Sequence, residues 1–399
     1  MKPWPQISLG ELCEVTAGGT PSRAVASNFG GDIPWVKIGD MLQGRVVTTE
    51  ERLSRSGLEN SAAKILPAGT VLISIFATIG RTAVLGVNAA TNQAIAGITP
   101  RNVDVLLPEY LRRFLDSQAS SLERRARGVA QANINSSLLR AVPVPLPPLP
   151  EQRRIAEILD KANALRAKRR AALVQFDTLT QSIFLDMFGD PATNPKGWPQ
   201  QTLAGLGAQF RYGTSSKSAA VGKPALRIPN VVAGSIDVSD LKLVPVTDDE
   251  FDRLCLRDGD LLFVRTNGNP EFVGRCAVFI GRDVAGSGFP SDQFVFASYL
   301  IRARIPSDAI LPVFLREFLL SLEGRRQLLA RSKTSAGQYN INTESLESVS
   351  VTVPEIDHQR AFANRIEVVA RARSGHCTAL SELNSLFASL QHRAFRGNL

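Results

Sequence analysis

Cysteine is scarce in this 399-residue chain: Cys13, Cys255, Cys276 and Cys377 stand far apart, with no Cys-x-x-Cys pair. That spacing excludes a disulfide framework and a zinc-ribbon type of module. Only His376 lies beside a cysteine, and no third or fourth ligand follows at useful spacing. The thiols read as reduced and structural, and no metal is assigned. Histidine is scarcer still, with His358, His376 and His392 all near the end and no serine or cysteine placed to complete a triad. A Gly-x-x-x-x-Gly-Lys-Ser/Thr phosphate loop is missing too. The most apolar short run, 71 to 77, falls far below the span of a bilayer, and the opening MKPWPQISLGEL has no apolar core. The expectation is a cytoplasmic protein without a membrane partner.

With 44% apolar residues, the chain can bury two or three sizeable cores. Its 46 basic and 37 acidic residues give a formal charge of +9, which favours a polyanionic partner without deciding the matter.

One stretch organises the rest. Prolines at 143, 145, 147, 148 and 150 force an extended approach and deny helix until Glu151, a residue suited to a helix N-terminus. From there to Met187 neither proline nor glycine occurs. Ile158, Ala162, Leu165, Ala172, Phe176, Leu179 and Ile183 follow alternating steps of four and three, with Arg169 interrupting the seam. This predicts a coiled-coil helix of roughly 55 Å at a rise of about 1.5 Å per residue. A second copy closes the chain. At a constant shift of 207, Gln131, Asn133, Ile134 and Asn135 meet Gln338, Asn340, Ile341 and Asn342, Gln152-Arg153 meets Gln359-Arg360, and Phe188 meets Phe395.

The front of each copy matches as well: Trp4-Pro5-Gln6 meets Trp198-Pro199-Gln200, and after small gaps Lys37-Ile38 meets Arg227-Ile228 and Gly80-Arg81 meets Gly274-Arg275. Runs such as TVLISIF (70 to 76) and DLLFVR (260 to 265) predict strands, and 108 to 123 and 312 to 330 predict helical patches. The residues therefore predict an α/β (α+β) globular domain followed by a long helix, twice over, with DPATNPKG (190 to 197) as a linker. The halves agree in framework and differ between landmarks, as expected if two units read different things on one scaffold. Drift after duplication is the plainer account.

The PxPLPPLPEQRRIAEIL helix start, the paired Trp-Pro openings, Gly19-Thr20-Pro21-Ser22, Thr91-Asn92-Gln93 and the Gln-x-Asn-Ile loops resemble the specificity subunit of type I restriction-modification systems. The resemblance covers essentially the whole chain. It implies target recognition domains at 1–146 and 191–353, a central long helix at 147–190 and a terminal one at 354–399, the two helices packing as an antiparallel coiled coil. Each domain would read one half of a split, asymmetric DNA site, with helix length setting the separation. The partners implied are double-stranded DNA, two methyltransferase subunits docked on the helices, and restriction subunits. S-adenosylmethionine, ATP and magnesium are then expected on those partners and none on this chain.

No catalytic residue is assigned. Asn269-Pro270-Glu271-Phe272 approaches an amino-methyltransferase motif, but Glu271 replaces the second proline and no glycine-rich partner accompanies it. Phosphate contacts need Lys or Arg, and base contacts need side chains with donors and acceptors on protruding loops. Both halves offer a basic run before the Gln-x-Asn-Ile loop: Arg124, Arg125, Arg127 and Gln131 in the first, Arg325, Arg326, Arg331, Lys333 and Gln338 in the second. Thr20, Ser22, Arg23 and Lys37, with Tyr212, Thr214, Ser215, Lys217 and Arg227, form a second candidate set. Arg265, Thr266, Asn267 and Asn269 form a third. On the long helices, Arg153, Arg154, Lys161, Arg166, Arg169 and Arg360 are candidates for docking the methyltransferase subunits. A solvated charged face is the ordinary alternative for any of these runs, and a pseudo-symmetric protein-binding scaffold without DNA specificity is the rival for the whole chain.

Overall fold

The computed structural model describes residues 4–76, 78–126, 134–306, 308–335 and 337–399. Both long helices form, as Leu149–Phe188 and Ile356–Ala394. The first begins two residues before the expected Glu151. Pro150 therefore lies in the first turn, where a missing N–H costs nothing and the fixed φ suits the helix. The chain divides into two compact units, residues 1–171 with 377–399 and residues 172–376. Each contains one globular domain, the first part of the helix that follows it and the last part of the other.

In the first unit, five strands are ordered Cys13–Ala17, Ile95–Pro100, Val71–Ser74, Thr82–Leu85 and Arg45–Val46, antiparallel except for the last pair. Side chains alternate across the sheet. Val71 and Ile73 therefore join Tyr110, Leu111, Phe114 and Leu115 of the helix Pro108–Ala126 in one core, while Leu72 joins Val36, Met41 and Leu85 in another. The second unit repeats the plan. Strands Gln209–Tyr212, Leu300–Arg304, Leu261–Val264 and Cys276–Val278 form an antiparallel sheet, with Leu261 and Phe263 facing the helix Pro312–Leu320, and Leu262 and Val264 facing a separate core. The single patch expected at 312 to 330 is two helices. Ser321 is extended (ψ 165°) and its hydroxyl caps the second one, Leu322–Ala330, by accepting from the Gly324 N–H at 3.2 Å.

The shared Gln-Arg motif has a structural role in both units. Gln152 is fully buried, donates to the carbonyls of Val105 (2.8 Å) and Pro147 (2.9 Å), and accepts from the Leu107 N–H at 2.9 Å. Gln359 does the same with Ala309 (3.2 Å), Pro354 (2.7 Å) and the Leu311 N–H (2.8 Å). Each glutamine ties the start of a long helix to the segment that launches the shorter helix of its domain. Asn135 and Asn342 also repeat, each capping a short helix through a 2.8 Å bond. The expected linker is a closed turn: Lys196 Nζ donates to the Met187 carbonyl at 2.7 Å and the Trp198 indole to that of Phe188 at 3.1 Å.

The helices run antiparallel within each unit. In the first, Arg154 Nη2 reaches the Leu399 carbonyl at 2.9 Å and Arg166 reaches Asn384 at 2.8 Å; in the second, Phe176 meets His376 and Phe184 meets Phe362. The expected seam holds in part: Ile158, Ala162, Ala172, Phe176 and Ile183 are half-buried. Leu165 and Leu179 are 52% and 44% exposed, whereas Ile155, Leu159, Phe184 and Phe188 are buried and Arg166, Arg169, Leu173 and Thr180 are half-buried between them.

Candidate nucleic-acid interface

In the second unit, a three-stranded ribbon gathers residues distant in sequence. Thr266–Asn267 pairs with Gln338–Asn340, which pairs with Lys333–Ser335, and Gly337 turns the hairpin at φ 76°. Thr266 is 9% exposed, and its hydroxyl donates to Gln338 Oε1 at 3.0 Å. Arg265 stacks over the ring of Tyr212 at 4.7 Å, and its Nη1 donates to the Ser298 carbonyl at 3.2 Å. Asn267 and Asn269 accept from backbone N–H groups two residues on, closing Asx turns. Arg265, Thr266, Asn267, Lys333, Gln338 and Tyr212 thus come together around one held guanidinium and an exposed polar hairpin. Tyr299, 60% exposed, belongs with them, because its carbonyl accepts the Arg265 N–H at 2.9 Å. Sequence reasoning passed over it. An aromatic at the mouth of the strand Leu300–Arg304 was the available signal.

Other candidates in this unit lie differently. Thr214 is 4% exposed and its hydroxyl accepts from the Ser216 N–H at 3.1 Å, so its side chain closes a turn and does not face a ligand. Ser215 and Lys217 are exposed. Arg227 is paired with Asp240 at 2.8 Å. Of the basic run, Arg325 turns inward to the carbonyls of Glu271 (3.2 Å) and Val273 (2.8 Å), Arg326 pairs with Glu323 at 2.7 Å, and Arg331 holds Ser348. Only Lys333 of that run stands on the ribbon.

In the first unit, Glu51 organises the site. It accepts from Lys37 at 2.8 Å and from Arg23 at 2.8 Å, Lys37 also meets Glu50 at 2.7 Å, and the Arg23 guanidinium lies over Phe29 at 4.6 Å and Trp35 at 5.4 Å. Lys37, and then Arg23, hold the Glu51 carboxyl below its ordinary range, and Glu50 and Glu51 raise Lys37. Thr20 bonds Gln93, and the Ser22 carbonyl accepts from Asn28 at 3.1 Å. Glu51 went unnoticed in the sequence because an acidic residue is not an obvious member of a DNA-facing set. Arg124 and Arg125 are exposed in the last turn of Pro108–Ala126. Arg127 and Gln131 lie outside the described residues.

On the helices, Arg153 and Lys161 are exposed. Arg154 pairs with Glu151 at 2.8 Å and Arg360 with Asp357 at 3.0 Å. Arg166 and Arg169 belong to the seam. Among the described residues no group of three or more His, Cys, Asp or Glu is placed to hold a metal, and no helix is long and apolar enough to cross a membrane.

Residues 1–174 match the family model of the type I restriction modification DNA specificity domain. The chain is 28% identical to the EcoKI specificity subunit of Escherichia coli K12 and 24% identical to the StySPI specificity subunit of Salmonella potsdam, in each case over 99% of this chain and 89% of the relative. Residues 1–174 thus carry the likeness to the type I restriction modification DNA specificity domain, and the chain is similar to specificity subunits over almost its whole length. Solved structures share its fold. The S subunit from M. genitalium aligns at a TM-score of 0.57 with 14% identity, covering 99% of both chains. A chain from a structure addressing complex assembly and conformational transition of the type I R-M system aligns at 0.53 with 18% identity, covering 100% of this chain and 99% of that one. These matches support a DNA sequence-recognition subunit.

Proposed function

We propose that this specificity subunit gives a type I complex its DNA target, each recognition domain reading one half of a split, asymmetric site. Two methyltransferase subunits dock on the long helices, restriction subunits join them, and S-adenosylmethionine, ATP and magnesium act on those partners in the cytoplasm. The linear division into 1–146, 147–190, 191–353 and 354–399 is proposed as the functional one. The observation that carries this reading is a repeated frame bearing unrepeated surfaces. Gln152 and Gln359 make the same three bonds, yet one unit holds Arg23 and Lys37 on Glu51 while the other presents Arg265, Lys333 and Gln338 on a ribbon. Equal frames with unequal donors and acceptors suit two different half-sites.

The test is a genome-wide map of N6-methyladenine in the source cell, expressing the methyltransferase partner, with and without this chain. The expected result is loss of one split, asymmetric motif on deletion. An unchanged map would favour a protein-binding scaffold.

A further inference from the structure

In the unit formed by residues 1–171 and 377–399, a cleft of about 550 Å³ opens between the Gly80–Thr82 turn, the helix Pro108–Ala126 and the two long helices. Four guanidiniums line it, those of Arg81, Arg112, Arg113 and Arg166, against a single carboxylate, Asp116. Arg112 and Arg113 are compensated. They share Asp160, at 2.9 Å and 2.5 Å, and approach Asp116 at 3.7 Å and 3.3 Å. Arg166 finds amide oxygens only, Asn384 at 2.8 Å and Asn163 at 3.3 Å, and lies 4.3 Å from the ring centre of Phe387. Among the described residues, no carboxylate pairs with Arg81 or Arg166. Burial, and then neighbouring arginines, pull Arg112 and Arg166 below the ordinary guanidinium value. A bound anion would relieve both costs.

The fold keeps part of this polarity and not the rest: Arg81, Arg112 and Arg166 recur as Arg275, Arg316 and Arg373, while Arg113 meets Glu317. Gly80-Arg81 against Gly274-Arg275, Leu107-Pro108 against Leu311-Pro312 and Gln152 against Gln359 align the two halves, and they place Cys276, Leu320 and Ala370 where the cleft has Thr82, Asp116 and Asn163. Cys276 lies in the hydrophobic core of its unit. Three elements have therefore diverged together at one place.

We propose that this cleft binds a phosphate-bearing anion of nucleotide size. Guanidinium forks match phosphate oxygens in pairs, which ammonium groups cannot do. The volume lies within the range of small-molecule sites. Ile79 and Phe387 offer apolar wall to a ring, and Gln43 and Gln391 offer amides to its edge. The phosphate comes either from a free nucleotide or from a DNA backbone, and the test separates the two.

The experiment is calorimetric titration of the purified full chain with sodium pyrophosphate and, separately, with adenosine triphosphate in magnesium-free buffer. The wild type and Arg55→Gln, a surface change elsewhere in the unit, should bind alike. The double variant Arg81→Gln/Arg166→Gln should bind about tenfold more weakly or worse. Asn163→Asp, which sets a carboxylate beside Arg166, should also weaken binding and covers the case in which the arginine variant does not fold. No binding to the wild type at millimolar anion, or undiminished binding to folded variants, would overturn the proposal. Displacement of the anion by a short duplex at low salt identifies the DNA backbone as the phosphate source, and simultaneous binding identifies a free nucleotide.

Discussion

A lysine or arginine contacts phosphate only if its charge is available when DNA arrives, and in the first unit that availability is governed by one carboxylate. Glu51 accepts from both Lys37 and Arg23. The depressed Glu51 carboxyl fixes the sign of the pH effect: the cradle contributes stability above the ordinary carboxylate pKa and loses it as pH falls through the lower, folded-state value. Glu51→Gln removes the shared countercharge at neutral pH. Lys37 keeps Glu50, while Arg23 keeps only its aromatic stack. If these cations face the backbone, non-specific DNA affinity should rise, and the slope of log K against log salt should steepen by about one for each further phosphate neutralised. Fluorescence anisotropy across a salt series reads this directly. A slope equal to that of the wild type would place Arg23 and Lys37 away from the phosphates. Neither the cradle nor the Arg265 ribbon was legible in the sequence as a unit, because Glu51 and Tyr299 acquire meaning only when a sheet brings them beside residues far along the chain.

At the scale of the element, each recognition domain is gripped from two directions. Ile155 and Leu159 begin the grip on the first domain and Phe395 completes it, its ring 5.6 Å from Tyr110 and 5.3 Å from Phe114. Phe362 and Ile366 begin it on the second, and Phe188 completes it, 4.7 Å from Phe314. The aromatic at the end of each long helix thus packs on the domain that its own helix does not directly follow. Phe188→Ala should destabilise the second unit by about 3–5 kcal/mol, the usual cost of emptying such a site. Hydrogen exchange should quicken across 200–350 and leave 6–146 unchanged, and Phe395→Ala should do the reverse. Exchange rising equally in both domains after either change would contradict this reciprocal packing. The gapless repeat made the helices and their end aromatics readable, since Phe188 falls on Phe395 at the shift that aligns the buried glutamines. The seam between was legible in part: Ala162, Phe176 and Ile183 are half-buried, while Leu165 and Leu179 are exposed. The packed face instead runs through Arg166, whose guanidinium lies over Phe387. A long arginine stem serves as seam when a ring receives its head.

At the scale of the molecule, a duplicated frame carrying two unequal surfaces predicts that one surface can be exchanged without touching the other. Replacing residues 1–140 with the corresponding segment of another specificity subunit should alter one half of the methylated motif and leave the second half as it was. The structure adds a condition. The core that includes Tyr110, Leu111, Phe114 and Leu115 also contains Ile155, Leu159, Phe387 and Ala394, which such an exchange leaves in place. Only a donor that presents similar side chains at the first four positions keeps the unit packed, because cores tolerate substitution when volume and pattern are preserved and lose several kcal/mol when they are not. Arg23 and Lys37 bond Glu51, and these three carry no such constraint toward the helices, so they can differ freely. A donor matched at Tyr110, Leu111, Phe114 and Leu115 should therefore yield a folded hybrid whose adenine-methylation map keeps one half-site and its spacing and replaces the other. A matched, folded hybrid that changed both halves of the motif together would mean that the two domains do not read independently, and the proposed one-domain, one-half-site division would have to be abandoned.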